Sequence, residues 1–517
     1  MSTEDQNRAV VTFEKGVDVD QAVNELLDAG YVMHDEKPGS KRNFDFIMTQ
    51  AQAAELRKDP RIVDVRYGSK AENGIYPVRA VLEDAKTYSK TTTLDNTHYN
   101  WGHAVCTSTA DRFSAATPTG TSLAASDLSF QYPYSLAGEG VDVVIQDSGI
   151  DPNHPEWLSR DGQTSRLQQI NWPNAAGLSA TYTQDANHYT DPDGHGTHVA
   201  GTAAGRLYGW AKDANIYAIT IIDNAAAFGV SASFNLIRGW HNNKGNNRPT
   251  VVNMSWGYFT SYTNITGGNY RGTPWTGTTM QANYGMVQVQ QSGGLWTHPV
   301  RVASVDADIQ DCLDDGIILV GAAGNDGHKA DVVGGDDYDN YWTSSSFGNS
   351  YYHRGSTPMG QPGVISVGNI SYVYVDNQEP LFGTSTKGPR VDVSAPGGYI
   401  MSAIPDGSNI ATSVGTVDYP LDANYKATKI SGTSMASPQV AGALACVMGA
   451  RPTMTSAEAL AFLQDNAATN RLYDSTTGTP STDYQDPRAL QGAPNKYLQT
   501  PFVRPNPFTL SGGIGLS

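Results

Sequence analysis

Cysteine is nearly absent: Cys106, Cys312 and Cys446 are the only three in 517 residues. Three scattered thiols do not make a disulfide framework, and none stands in a C-x-x-C spacing, so structural zinc has no support. Cys446 lies in the apolar run AGALACVMGA and reads as a small buried core residue. No stretch approaches the roughly 18 consecutive apolar residues of a membrane helix, which argues against a membrane partner. The opening MSTEDQNRAV has no basic region followed by an apolar one, as a classical secretory leader would. Location therefore stays open: cytoplasmic, virion-associated or non-classically exported. Basic residues are outnumbered as well, 34 against 51 acidic, for a net charge of −17. That balance argues against a nucleic-acid partner and is read as a solubility feature.

What the chain does have is a hydrophobic fraction of 39%, enough for a large core, and 53 glycines for tight turns. Residues 1–70 read as a compact α+β unit. Ala9 to Phe13 is β-like; Val19, Val23, Leu26 and Leu27 recur at helical spacing, and Gly30 is placed to end that helix. Tyr31 to His34 and Asn43 to Met48 look extended. Thr49 and Gln52 have capping-box spacing before a second helix that stops near Asp59-Pro60, and Ile62, Val63 and Val65 supply a last strand. The order β-α-β-β-α-β is a split βαβ, ferredoxin-like arrangement. Residues 71–97 have no clear period and read as a linker. Residues 98–498 follow as one large domain, and 499–517, with three prolines, as an extended tail. In the large domain VDVVIQ, ANIYAITII, TVVNMSW, GIILVGAAG and GVISVGN read as buried parallel strands. HVAGTAAG and MASPQVAGALACVMGA read as helices between them, which makes a doubly wound α/β pattern. Such sheets carry their sites at the carboxyl ends of the strands, where Asp147 and Asn325 fall.

Three motifs carry chemistry, in the order VVIQDSGID, DGHGTHVAGT and SGTSMASPQVAG. They supply Asp147, His195 and Ser434. Alone, an Asp after a strand is a turn or cap residue, a Ser in GTS is an N-cap, and an Asn before Asp-Gly is a turn former. Together they offer a different account. A serine hydroxyl is a weak nucleophile, and needs an imidazole to take its proton and a carboxylate to orient that imidazole. Ser434 opens an apolar helix, whose N-terminus favours negative charge developing on a reacting carbonyl. Pro438 is expected near the first turn, where few backbone N–H groups have partners. An unperturbed imidazole would place the acid limb of activity at about pH 6–7.

The three motifs in this order resemble those of the subtilase family of serine endopeptidases; chymotrypsin-like and α/β-hydrolase enzymes carry the same groups in other orders. The resemblance implies a subtilisin-like α/β fold, a triad of Asp147, His195 and Ser434, and His198 as the second, supporting histidine of HGTHVAG. It implies that the Asn325 amide of AAGN donates to the oxyanion. It also implies that Ser255-Trp256-Gly257 pairs with the substrate as a strand, with Ala322, Ala323 and Gly324 lining a further wall of the pocket. Small apolar walls point to large hydrophobic or aromatic side chains before the cleaved bond. The unit 1–70 is similar to the family's inhibitor and chaperone prodomain, which places self-processing in 71–97, and Asn100-Trp101-Gly102 resembles the start of mature subtilase domains. The resemblance requires no cofactor. It allows calcium, but the short segment GRLYGWAKDANIYAITII is similar to proteinase K-like relatives, and Glu156 lacks the partners of a recognisable calcium site. Insertions near 161–190, 258–305, 328–360 and 405–428 are expected to rim the cleft.

Two other functions fit parts of the sequence. One is an assembly component, such as part of a virion, whose subtilase domain serves mainly its own cleavage. The other is a metallohydrolase using Asp191, Asp193, His195 and His198, which lacks the HExxH pattern of zinc peptidases.

Overall fold

The computed structural model describes residues 8–35, 41–67, 75–77, 100–107, 136–262, 265–278, 284–286, 289–290, 296–344, 348–373, 378–474 and 488–500. The expectations for most of the linker and of the tail lie outside the described residues.

The N-terminal unit comprises β1 (Arg8–Phe13), α1 (Val19–Asp28), β2 (Val32–Asp35), β3 (Asn43–Ile47), α2 (Gln50–Leu56) and β4 (Ile62–Tyr67). Its strands pair antiparallel in the order β2-β3-β1-β4. Val11, Phe13, Val23, Leu26, Phe46, Leu56 and Val65 close its own core. The α2 capping box forms as its spacing requires: Gln52 N–H donates to Thr49 Oγ1 at 3.2 Å and Thr49 N–H to Gln52 Oε1 at 2.8 Å.

After β5 (Ile75–Pro77) and α3 (Trp101–Thr107) the large domain begins with β6 (Asp142–Asp147), α4 (Trp172–Ala175), α5 (His195–Ala204), β7 (Asn215–Thr220) and α6 (Val230–Asn243). It continues with β8 (Thr250–Met254), β9 (Trp256–Tyr262), β10 (Ile265–Tyr270), β11 (Thr273–Thr276), β12 (Val289–Gln290), β13 (Trp296–Pro299) and α7 (Ala303–Asp314). Next are β14 (Ile318–Ala322), β15 (Tyr341–Ser344), β16 (Gly348–Tyr351), β17 (Ile365–Ile370), β18 (Val393–Pro396), β19 (Ile400–Ile404) and α8 (Asn409–Val414). Last come β20 (Val417–Tyr419), β21 (Asp422–Ile430), α9 (Thr433–Ala450), α10 (Ser456–Asn466), β22 (Ala468–Thr469) and β23 (Lys496–Tyr497).

The central sheet has the order β22-β23-β18-β17-β14-β8-β6-β7. Every neighbouring pair from β23 to β7 is parallel, and only β22 runs the other way. β6, β8 and β14 are buried at every residue, as strands covered on both faces must be. This is the doubly wound α/β sheet that the apolar runs predict. α9 is buried from Thr433 to Met448, which suits a helix apolar on all sides. Gly442 lets it close on α5, since a Cβ there would run into Ala203 O.

Three smaller sheets are added: β12-β13-β9-β5, β11-β10-β15-β16 and β19-β21-β20. The second is built from the stretches that lengthen the chain near 258–305 and 328–360, and closes its own apolar cluster around Trp275, Trp342 and Tyr352.

The N-terminal unit rests on α7. Arg42 donates to Ala307 O at 2.9 Å, and Asn43 Nδ2 donates to Ser304 O at 3.0 Å and Asp308 Oδ1 at 2.8 Å. Around these buried contacts Lys15 pairs with Asp314 at 2.7 Å and Lys41 with Asp315 at 3.1 Å.

Candidate active site

Strand register assembles the site. Gln146 of β6 is level with Met254 of β8, so Asp147 and Ser255 follow side by side at one strand spacing, about 4.8 Å. Gly321 of β14 is level with Met254 on the other side, which brings the end of β14 and Asn325 to the same rim. Three adjacent parallel strands thus deliver three polar segments to one carboxyl edge.

Asp147 and His195 are in contact there: His195 Nδ1 lies 2.7 Å from Asp147 Oδ1, and both residues are buried. His195 is the first residue of α5, set by Gly194 at φ 95°, where a Cβ would meet Ile404 Cδ1 at 2.5 Å and Ser408 Oγ at 2.6 Å. Only glycine fits both the left-handed turn and the close approach. The other ring nitrogen, His195 Nε2, is buried with no partner among the described residues. Burial by itself drives an imidazolium toward neutrality. The charge and hydrogen bond of Asp147, with Asp193 and Asp191 adding to them, outweigh it and hold the His195 pKa at about 9.

Asp191 braces this pair. Its Oδ1 accepts from Ser148 Oγ and Gly194 N–H, both at 2.8 Å, and its Oδ2 from Thr197 N–H at 2.8 Å and Thr197 Oγ1 at 2.7 Å. Ser148 Oγ in turn accepts from Gly196 N–H at 2.8 Å, and Ser148 N–H donates to Asp147 Oδ1 at 2.7 Å. One buried carboxylate therefore ties the loop before α5 to the residue after Asp147. His198 is a different kind of histidine. Burial first, and then the charge of His195, push its pKa down to about 3. The ring is neutral and its Nε2–H donates to Ile400 O at 3.0 Å and Thr428 O at 3.2 Å. Among the described residues no group of three or more His, Cys, Asp or Glu side chains is arranged to hold a metal ion.

Ser434 is the second residue of α9, and Gly432 before it has no side chain to cover the helix start. Its Oγ donates to Ser255 O at 3.3 Å. Pro438 is the sixth residue of α9, so it falls in the second turn and not, as the sequence leads one to expect, near the first. It therefore removes the N–H that would have reached the Ser434 carbonyl. Ser255 Oγ compensates by donating to Ser434 O at 3.0 Å, while accepting from Asn253 Nδ2 at 2.9 Å.

Asn325 Oδ1 accepts from Thr433 N–H at 2.9 Å and Thr433 Oγ1 at 3.0 Å, which turns the NH2 end of the amide the other way. Gly324 N–H donates to Thr433 Oγ1 at 3.1 Å, and Ala323 N–H to Val367 O at 3.0 Å, so Ala322 to Asn325 runs against the start of α9. Trp256 is fully buried and its Nε1–H donates to Gln146 Oε1 at 3.1 Å. β5 lies on β9 antiparallel, with Pro77 opposite Trp256, Tyr76 opposite Gly257 and Ile75 opposite Tyr258. Asn100 is tied to α9, its Nδ2 donating to Gln439 Oε1 at 3.1 Å.

Glu156 does not fit a calcium ligand. Its Oε1 accepts from Leu207 N–H at 2.9 Å and Tyr208 N–H at 2.7 Å, and its Oε2 from Tyr419 OH at 2.6 Å. Both oxygens are taken by protein donors.

The fold is a parallel α/β sheet with a buried Asp–His pair and a serine at a helix start gathered at one edge. The profile of the Subtilase family matches residues 138–493, more than half of the chain, and the chain belongs to that family. It is 29% identical over 320 residues to Subtilisin-like protease 3 of Arthroderma otae, covering 61% of this chain and 54% of that protein. It is 26% identical over 335 residues to Subtilisin E of Bacillus subtilis (strain 168), covering 64% of this chain and 61% of that protein. The chain thus spans 54% to 61% of the length of these relatives. Among solved structures it is similar to fervidolysin from Fervidobacterium pennivorans, a keratinolytic enzyme related to subtilisin. That similarity has a TM-score of 0.52 at 17% identity, over 97% of this chain and 61% of that one, and concerns the fold alone.

Proposed function

We propose that this chain is a serine endopeptidase that hydrolyses peptide bonds through an acyl-enzyme, made as a self-processing zymogen. The observation that carries the reading is the buried Asp147–His195 pair, whose His195 Nε2 has no partner among the described residues, at the strand end beside that of Ser255, whose carbonyl Ser434 Oγ touches. Ser434 Oγ attacks the scissile carbonyl as His195 Nε2 takes its proton, and Asp147 steadies the imidazolium. Negative charge on the carbonyl oxygen is met by the Asn325 amide and the backbone N–H of Ser434. The proton then passes to the leaving amine, and water repeats the sequence to release the acid and restore the serine. Ser255, Trp256 and Gly257 hold the substrate as a strand, and Ala322, Ala323 and Gly324 favour a large hydrophobic side chain before the cut.

Residues 1–70 act in this reading as the inhibitor, and 71–97 hold the processing site. The docking of Arg42 and Asn43 on α7 and the pairing of β5 with β9 support it: the first holds the N-terminal unit on the large domain, and the second lays the chain along the strand proposed to pair with substrate. The test is labelling of the purified protein by a fluorophosphonate, alongside hydrolysis of casein. Both should be lost in Ser434→Ala. Near-wild-type turnover by Ser434→Ala would sink the mechanism. A protein that cuts itself but neither labels nor digests casein would favour an assembly component that cleaves only its own chain.

A further inference from the structure

We infer that β9 grips a polypeptide substrate far upstream of the cleaved bond, through backbone pairing at Phe259 and Ser261 as well as at Gly257. This rests on the peptidase reading of the cleft and extends it to the length of chain that the enzyme recognises.

The direction of the peptide groups along β9 carries the argument. Tyr258 N–H donates to Thr357 O at 3.2 Å, and Tyr258 O accepts from Val300 N–H at 3.0 Å. Both polar groups of Tyr258 therefore face the edge on which β13 lies. Successive residues of a strand turn these groups to opposite edges, so Gly257, Phe259 and Ser261 present theirs to the edge on which β5 lies. The position of Pro299 agrees: a residue with no N–H stands opposite Phe259, where β9 turns its own groups away from β13.

β5 covers this edge only from Trp256 to Tyr258. β9 runs on to Tyr262, and among the described residues none pairs with the same edge beyond Tyr258. The strand is held straight over that stretch by β13, which pairs with Phe259 to Tyr262 from the other side. The occupant that fits is the substrate segment N-terminal to the scissile bond, because β5 already lies antiparallel on this edge and the strand beneath it continues unbroken. Ser434 Oγ touches Ser255 O, so the residue opposite Ser255 supplies the attacked carbonyl. Counting upstream from it, Gly257 meets the third residue, Phe259 the fifth and Ser261 the seventh. Pairing of this kind reads backbone, and tolerates many side chains.

The test uses the self-processed protein and a nested set of peptides with one scissile sequence, beginning four to eight residues upstream of the cut. kcat/KM should step up roughly 3–10-fold when the fifth residue is added, and again at the seventh, with little change at the sixth. N-methylation of the fifth or seventh nitrogen should erase its step, while N-methylation of the sixth should not. A length series flat beyond four residues, in protein whose Ser434 is labelled by a fluorophosphonate, overturns the extended site and leaves the peptidase reading standing. Equal losses at the fifth and sixth nitrogens overturn it as well. Protein that neither labels nor cleaves any peptide overturns both.

Discussion

His195 is subject to opposing influences whose balance sets the pH behaviour. Burial favours the neutral ring and Asp147 favours the charged one; with the pKa at about 9 the charged form prevails at neutral pH. In the proposed mechanism the His195 ring must be neutral to accept the Ser434 proton, so kcat/KM should rise with pH and reach half its plateau on the alkaline side of the ordinary 6–7, toward 9. A profile flat from pH 5 to 8 would count against His195 as the base. Asn325→Ala should lower kcat far more than it changes KM; the known cost of removing such a donor in subtilisin, about 10²–10³ in turnover, sets that expectation. Asp147, His195, Ser434 and Asn325 are legible in the sequence because each sits in a short contiguous string. The role of Asp191 is not. Ser148 stands 43 positions before it, while Gly194 and Thr197 follow it by 3 and 6, and only the folded loop aims all four donors at one carboxylate. Asp191→Asn would set an amide NH2 against some of those donors, and should lower both Tm and kcat while leaving Ser434 chemically intact.

At the level of elements, the interruption of α9 by Pro438 and the bond from Ser255 belong together. Ser255→Ala removes a donor from Ser434 O and should cost about 1 kcal/mol of stability. Pro438→Ala supplies a helical N–H to the same carbonyl, so the double variant should recover part of the loss. A thermal-melt cycle checks this, and strictly additive Tm changes would show that the two sites are not coupled. The runs VDVVIQ, TVVNMSW and GIILVGAAG announce their strands because a strand covered on both faces is apolar throughout. The shift of Pro438 from the first turn to the second is harder to foresee, since a glycine and a threonine before the nucleophile leave the helix start undetermined by pattern. The accessory sheet β11-β10-β15-β16 was equally hidden: β10 and β15 pair across more than 70 positions of chain, and Gly, Thr and Asn give little alternation.

For the whole molecule, the proposed zymogen turns on what holds the N-terminal unit against the large domain. Lys15–Asp314 and Lys41–Asp315 have half-exposed lysines, and pairs of that kind contribute little. Arg42 and Asn43 are buried against α7, so they should dominate. Arg42→Ala in an isolated fragment of residues 1–78 should weaken its inhibition of the processed enzyme about 10-fold or more, since a charge-assisted bond is lost. Lys15→Ala should change it little, and added salt only modestly. The complementarity of a basic edge to the acidic run of α7 escapes sequence reading because the partners stand about 260 to 300 residues apart. The register of β5 on β9 then fixes where the chain should cut itself. Pro77 lies opposite Trp256, one position short of Ser255, whose carbonyl Ser434 touches, so the proposed mechanism sets the cut one residue after Pro77. The active chain should therefore yield a fragment ending at Val78 and a mature protein beginning at Arg79, whereas Ser434→Ala should remain an uncut 517-residue species. N-terminal sequencing with intact mass decides it. A first cut well away from that bond would break the link between the β5 register and processing, and active protein still carrying its original N-terminus, indifferent to the added fragment, would remove the zymogen reading while leaving the triad untouched.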